Sequence, residues 1–252
     1  MSATVRARLG RYGVWQLRDY FLGAGGATLI VSVVVIALLS QTSFGTISTN
    51  GHQSSGQDAV RSVTGVLLIA LGVLGSTFAN SGLVADDRAR GYYRFALAKP
   101  VSPVRLYGQA FLVRGVGFLC IAAIAWVACA WRLLPGSFFG TLGYMVVAYV
   151  TVGGVTLLLS TMFRHAWLGT LILWVAAAIF SAAATTPGGL RVLWLPAHFV
   201  LPPLHLTSRL ASMLVSGDAM PTPVGDLVWY VGYGVLAILA ALTVIRGREW
   251  PL

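Results

Sequence analysis

The chain has 252 residues, of which 57% are hydrophobic and only 10% charged, with a mean hydropathy of +0.81 and a formal net charge of +10. Soluble domains carry about a quarter of their residues as charged side chains, so this composition excludes a water-soluble globular domain and points to a lipid bilayer. The positive charge then reads as juxtamembrane charge facing anionic lipid rather than as a nucleic-acid surface, for which no motif is present.

At the N-terminus, Val5, Leu9 and Tyr12 recur at helical spacing while Arg8, Arg11 and Arg18 occupy a neighbouring arc. This predicts an amphipathic helix over residues 1–20 lying on the inner leaflet, although plain charged anchoring accounts for it equally well. The apolar run Phe21 to Ser40 that follows resembles the core of a signal peptide. It is long enough to span, however, and no small-residue cleavage site closes it, so it is read as a retained first span.

A bilayer core of about 30 Å needs about 20 apolar residues in a helix. Five further segments meet or approach that length, near Val63 to Val84, Tyr107 to Trp131, Gly140 to Phe163, Ala166 to Ala184 and Leu227 to Ile245. The expected fold is therefore an all-α integral membrane protein with six spans, forming a single domain over 1–252. With the N-terminus in the cytoplasm, only Arg61, Arg132, Arg191 and Arg209 of the 17 Lys and Arg fall outside. The excess inside, carried by the loop Asp86 to Arg105, by Arg164 and by Arg246 and Arg248, predicts cytoplasmic termini at both ends.

The connections differ in kind. Gln41 to Val60 is rich in Ser, Thr, Gly and Gln and reads as a solvated outer loop. Residues 186–226 are interrupted by Pro187, Pro196, Pro202, Pro203, Pro221 and Pro223 and cannot form one straight span. Two short pieces, Leu190 to Leu201 and Leu204 to Ser216, carry Trp194, His198, His205 and Arg209 among apolar residues, as short helices at the outer interface would.

The stretch 85–105 carries the strongest functional signal. Asp86 or Asp87 can start a helix by accepting its free amide hydrogens, Gly91 lets another backbone approach, and Pro100 stops the helix. The outcome expected is a short charged cytoplasmic helix stiffly joined to the second and third spans, able to pass on a push from a soluble partner.

In this loop Asp87, Arg88, Gly91, Pro100, Val101 and Ser102 stand in the order and spacing of an acidic residue, a basic residue, a glycine and a Pro-Val/Ile-Ser end. The chain thereby resembles the membrane subunits of the ABC type-2 permease family, in motif over this loop and in architecture over its length. Asp87 stands where that family usually has Glu, and Tyr92-Tyr93-Arg94-Phe95 is bulkier than the common pattern. The resemblance implies a permease with no catalytic residues and no cofactor of its own, and no G-x-x-x-x-G-K-[ST] phosphate loop occurs in the chain. ATP and Mg would sit on a separate ABC ATPase present as a pair, and a second permease, identical or homologous, would complete the unit in a bacterial inner membrane. Asp86, Asp87, Arg88, Arg90, Gly91, Arg94, Pro100 and Ser102 would couple the chain to that ATPase. Short outer loops fit export of a lipophilic or small amphipathic compound. A non-transporting assembly or anchoring subunit with the same fold is the main alternative.

Within the spans, Arg114 lies near the inner end of the third and is expected to snorkel to the headgroups. Asn80, Thr77, Tyr144 and Tyr149 either line a path or bond helix to helix. Gly72, Gly75, Gly143, Gly153 and Gly154 read as close-packing positions, and Cys120 and Cys129 as two small buried residues. His198 and His205 are seven apart but separated by Pro202 and Pro203, and neither C-x-x-C-H, H-E-x-x-H nor G-x-S-x-G occurs, so haem, redox and hydrolase readings are weak. No substrate residue is legible.

Overall fold

In a computed structural model of the protein, residues 3–41, 47–49, 52–54, 65–89, 102–132, 137–185, 202–203, 206–207 and 224–247 are described. Helix α1 (Ala3–Leu22) leads through Gly23 into α2 (Ala24–Gln41), and the halves Gly13–Leu22 and Ala24–Ala37 meet at 45°. The bend has a local cause. Gly25 carries no side chain, and a Cβ there would come within 2.6 Å of the Tyr20 ring folded back over it.

Two three-residue strands follow, β1 (Ile47–Thr49) and β2 (His52–Ser54), paired antiparallel with Ser48 opposite Gln53. The outer connection expected to be simply solvated thus contains a small hairpin, and the fold is helical with this one exception among the described residues.

Helix α3 (Gly65–Ala89) widens by one residue per turn over Leu71–Gly75 and tightens at Gly82 to Val84. Helix α4 (Pro103–Arg132) opens with proline in the first helical position, where no amide hydrogen is needed, and the Ser102 carbonyl accepts from Leu106 N–H at 3.1 Å. Helix α5 (Phe138–Met162) is capped by the Ser137 hydroxyl, which accepts from Gly140 N–H, and widens again over Tyr149–Gly153. Helices α6 (Ala166–Thr185) and α7 (Val224–Gly247) complete the order. In α7, Asp226 in the first turn and Arg246 in the last complement the helix dipole.

Four of these helices, α3, α4, α5 and α7, are long and apolar enough to cross a membrane, and the bent pair α1–α2 makes a fifth if it counts as one span. Their outer faces agree with that reading. Ile30 and Val31 on α2, Leu112 and Val127 on α4, Ile172 and Ile179 on α6, and Val228 and Leu236 on α7 are all exposed. An apolar belt of this extent suits lipid and not water, as in a membrane protein.

Helices α4 and α5 form the centre. α1, α2, α3 and α7 contact α4, while α3, α6 and α7 contact α5. The N-terminal helix packs on the bundle. Gly13 faces Gln109 and Val113, and Tyr20 and Leu17 face Gly117, so the second half of α1 runs along the start of α4 in the same direction. Its small residues and those of α4 allow that approach, which buries Tyr20 to 3% exposure.

Close approach elsewhere also depends on glycine. A Cβ on Gly72 would strike the Tyr144 ring, one on Gly75 the Phe118 ring, and one on Gly154 the Gly234 carbonyl at 2.7 Å. Gly143 has open space around it and does not serve in packing, contrary to expectation. Cys120 is likewise exposed rather than buried, whereas Cys129 lies in the core.

Candidate functional site

The predicted coupling segment begins beyond the turn at Gly82 to Val84, as a short helical stretch, Ala85–Ala89, in line with the rest of α3. Asp86 and Asp87 stand in its first turn, as expected, and Asp86 N–H donates to the Gly82 carbonyl at 3.0 Å and Arg88 N–H to the Val84 carbonyl at 3.1 Å, which join it to the rest of α3. Gly82 makes room for the Asp86 carboxylate, which packs against its Cα. Arg88 reaches across to α5, and its guanidinium donates to the Thr161 carbonyl at 2.9 Å. That carbonyl lies in the last turn of α5, where helix carbonyls lack intrahelical partners and carry the negative end of the dipole. Asp87 is half-buried and engaged in an interaction, and Asp86 and Ser102 are exposed. Arg90, Gly91, Arg94, Pro100 and Val101 lie outside the described residues, as do the outer interfacial pieces except Pro202, Pro203, Leu206 and Thr207, and both His198 and His205.

Replacing Arg88 by alanine is expected to cost about 1 kcal/mol, the worth of one exposed charge-assisted bond at a helix end. Hydrogen exchange should accelerate at Ala85–Ala89 and in the last turn of α5 and leave the first half of α3 unchanged.

A second concentration of polar groups lies deeper, between α1, α3, α4 and α5. Arg114 is half-buried and turned toward α3. It shares a helix face with Tyr107, Phe111, Phe118 and Ile121, all buried, and its guanidinium donates to the Ala79 carbonyl of α3 at 2.8 Å. The tightening of α3 explains why that carbonyl accepts, because Leu83 N–H, its regular partner, turns instead to Asn80 at 3.2 Å.

Next to it, the Tyr149 hydroxyl donates to the Phe111 carbonyl at 2.6 Å and lies 3.2 Å from Asn80 Oδ1, while Asn80 Nδ2 donates to Ser76 at 2.9 Å. The Tyr149 ring stacks between Phe111 and Phe118, with centroids at 4.9 and 5.5 Å. Gly115 and Gly153 give the ring and Asn80 their space.

Of the polar residues singled out in the sequence, Asn80 and Tyr149 are joined here, Thr77 bonds only within its own helix to Val73, and Tyr144 stands apart with its hydroxyl 3.5 Å from the Ile69 carbonyl. Further bonds tie α5 to its other neighbours: Thr151 donates to Tyr230 of α7 at 2.9 Å, and the Thr156 and Thr170 hydroxyls meet at 3.0 Å between α5 and α6. Thr207 meets the Tyr230 hydroxyl at 3.0 Å.

Sequence reading missed Tyr20, Thr151, Thr156, Thr170, Thr207 and Tyr230. The buried stripe Tyr107-Phe111-Phe118-Ile121 could have shown that Arg114 faces the bundle, since it follows from helical spacing alone.

Among the described residues no group of three or more His, Cys, Asp or Glu could hold a metal ion. Comparison with family models, with curated proteins and with solved structures gives no match. The class that fold and site define is accordingly a helical protein of membrane type with a polar seam in its core. Permease membership rests on the loop motif and the expected topology alone.

Proposed function

We propose that this chain is a six-span permease subunit of an ATP-driven ABC exporter, working with a separate ATPase in a bacterial inner membrane and carrying a lipophilic or small amphipathic compound. The observation that carries the reading is the Asp87 to Ser102 motif in the sequence, whose first residues, Asp87 and Arg88, lie in the helical stretch at the end of α3, with Arg88 tied to the end of α5. A soluble subunit seated on this loop would move α3 as a lever. Through Arg88 it would also move α5, the most buried of the long helices.

In this mechanism Asp86, Asp87, Arg90 and Arg94 present charge to the ATPase, Gly91 admits its surface, and Pro100 and Ser102 set the sharp entry into α4. ATP-driven closure of two ATPase subunits would draw two such loops together and exchange inward for outward access. The count of six adds α6 and the bent α1–α2 pair to the four long apolar helices.

Tagging the chain, extracting it in mild detergent and assaying what co-purifies tests the reading. A nucleotide-binding subunit should come with the wild type, and Asp87→Ala combined with Gly91→Trp should release it or uncouple its hydrolysis. An ATPase that never co-purifies, or one indifferent to both changes, would sink the permease reading in favour of an assembly or anchoring subunit.

A further inference from the structure

Arg114 places a permanent positive charge on the bundle-facing side of α4, where ionisable groups are costly and are retained with a partner. Among the described residues its one hydrogen bond is to the neutral Ala79 carbonyl, and no carboxylate pairs with it. A guanidinium has five N–H donors in a planar fork, and among the described residues one bond uses a small part of that capacity. The side chain is half-buried.

A second polar group lies one helical turn along α4 from Arg114. The Tyr20 hydroxyl is buried and has no hydrogen-bond partner among the described residues. Its ring lies on Gly117, one helical turn beyond Arg114 on the same face of α4, and the hydroxyl is within electrostatic reach of the guanidinium. A buried hydroxyl without a partner costs about 1–3 kcal/mol, which a ligand oxygen would recover.

We propose that Arg114 and Tyr20 form a binding site for one anionic headgroup, a phosphate or carboxylate, of an amphiphile that enters between α1, α3 and α4. The guanidinium fork matches two oxygens of such a group, and the phenol supplies a third donor. The Ala79 carbonyl holds the guanidinium in place from the opposite side. The site goes beyond the exporter reading and does not depend on it, since a bound membrane lipid would use the same groups as a transported acid.

The test uses the purified full chain in mild detergent and native mass spectrometry, with phosphatidylglycerol against phosphatidylcholine of the same acyl chains, and inorganic phosphate as the free-anion arm followed by thermal unfolding. The wild type should retain one phosphatidylglycerol with about tenfold preference, and Arg114→Gln should abolish that preference. Arg105→Gln, which removes an exposed arginine of the same helix, should leave it intact. Tyr20→Phe should weaken it severalfold while conserving shape, and Arg114→Lys should keep part of it, so the outcome does not hang on one variant folding.

Stabilisation by inorganic phosphate that depends on Arg114 would support the site and assign it to a soluble oxyanion. Retention of the lipid without any response to phosphate would support it as a headgroup site. A preference that survives Arg114→Gln and Tyr20→Phe, or that falls equally with Arg105→Gln, overturns the proposal, because surface charge then accounts for it.

Discussion

Gly234→Ala should destabilise the protein by about 3 kcal/mol, while Gly232→Ala, two residues away on the same helix, should stay within about 0.5 kcal/mol of wild type. The reason is backbone contact between α5 and α7. A Cβ on Gly234 would sit 2.6 Å from Thr151 Cα and 2.7 Å from the Val150 carbonyl oxygen, whereas one on Gly232 meets nothing within 4 Å. Backbone atoms cannot rotate away as a side chain can, so α7 must lift off α5. The Thr151 bond to the Tyr230 carbonyl is then lost as well. Equilibrium unfolding in mixed micelles measures the difference, and equal stabilities for the two variants would show that the helices do not approach this closely. Gly154→Ala should mimic Gly234→Ala, because its Cβ would reach the Gly234 carbonyl from the other side.

Tyr149→Ala is expected to cost about 4 kcal/mol, the scale of deleting a buried aromatic ring, and Tyr149→Phe about 1–2 kcal/mol. The ring fills the space between Phe111 and Phe118, beside Gly115, where no side chain can replace it. The phenylalanine variant keeps that packing and removes only the hydroxyl, leaving Asn80 Oδ1 without its partner from α5. Combining Tyr149→Phe with Asn80→Leu should then cost less than the sum of the two single changes, as expected for groups in one network. Strict additivity in the unfolding series would mean that the seam is a set of separate contacts rather than a unit.

The long helices were legible in the sequence within a few residues because each needs only an apolar run of sufficient length, and backbone hydrogen bonding in an apolar medium leaves few alternatives to helix. The end of α3 was not. The acidic pair signalled a helix there, but its alignment with the rest of α3 follows from the hydrogen bonds of Asp86 and Arg88 to the tightened turn at Gly82 to Val84, which the apolar run ending at Val84 does not show. Glycines showed the same division. Gly72, Gly75, Gly153 and Gly154 could be named as packing positions, but Gly143 proved idle, and Gly115 and Gly234 were overlooked.

The polar seam was legible as a set of residue types and not as a site. Asn80 and Tyr149 stood out because amide and phenol groups are rare in spans. The widened turn Leu71–Gly75 lies before Asn80 and shifts the face on which it stands, and a second, Tyr149–Gly153, begins at Tyr149 and shifts the faces beyond it. Periodicity carried through such a turn points the following side chains in the wrong direction.

By itself the sequence determined that this is a helical protein of membrane type, roughly where its long helices run, and which loop concentrates charge. These properties depend on composition along the chain, which one-dimensional reading captures. Only the tertiary structure decided that Arg114 bonds to Ala79, that Arg88 ties α3 to α5, and that α1 runs along α4. Each of these depends on how one helix is rotated against another. That rotation is set by the glycines and widened turns at the contacts, not by the hydrophobicity of the helices that meet there.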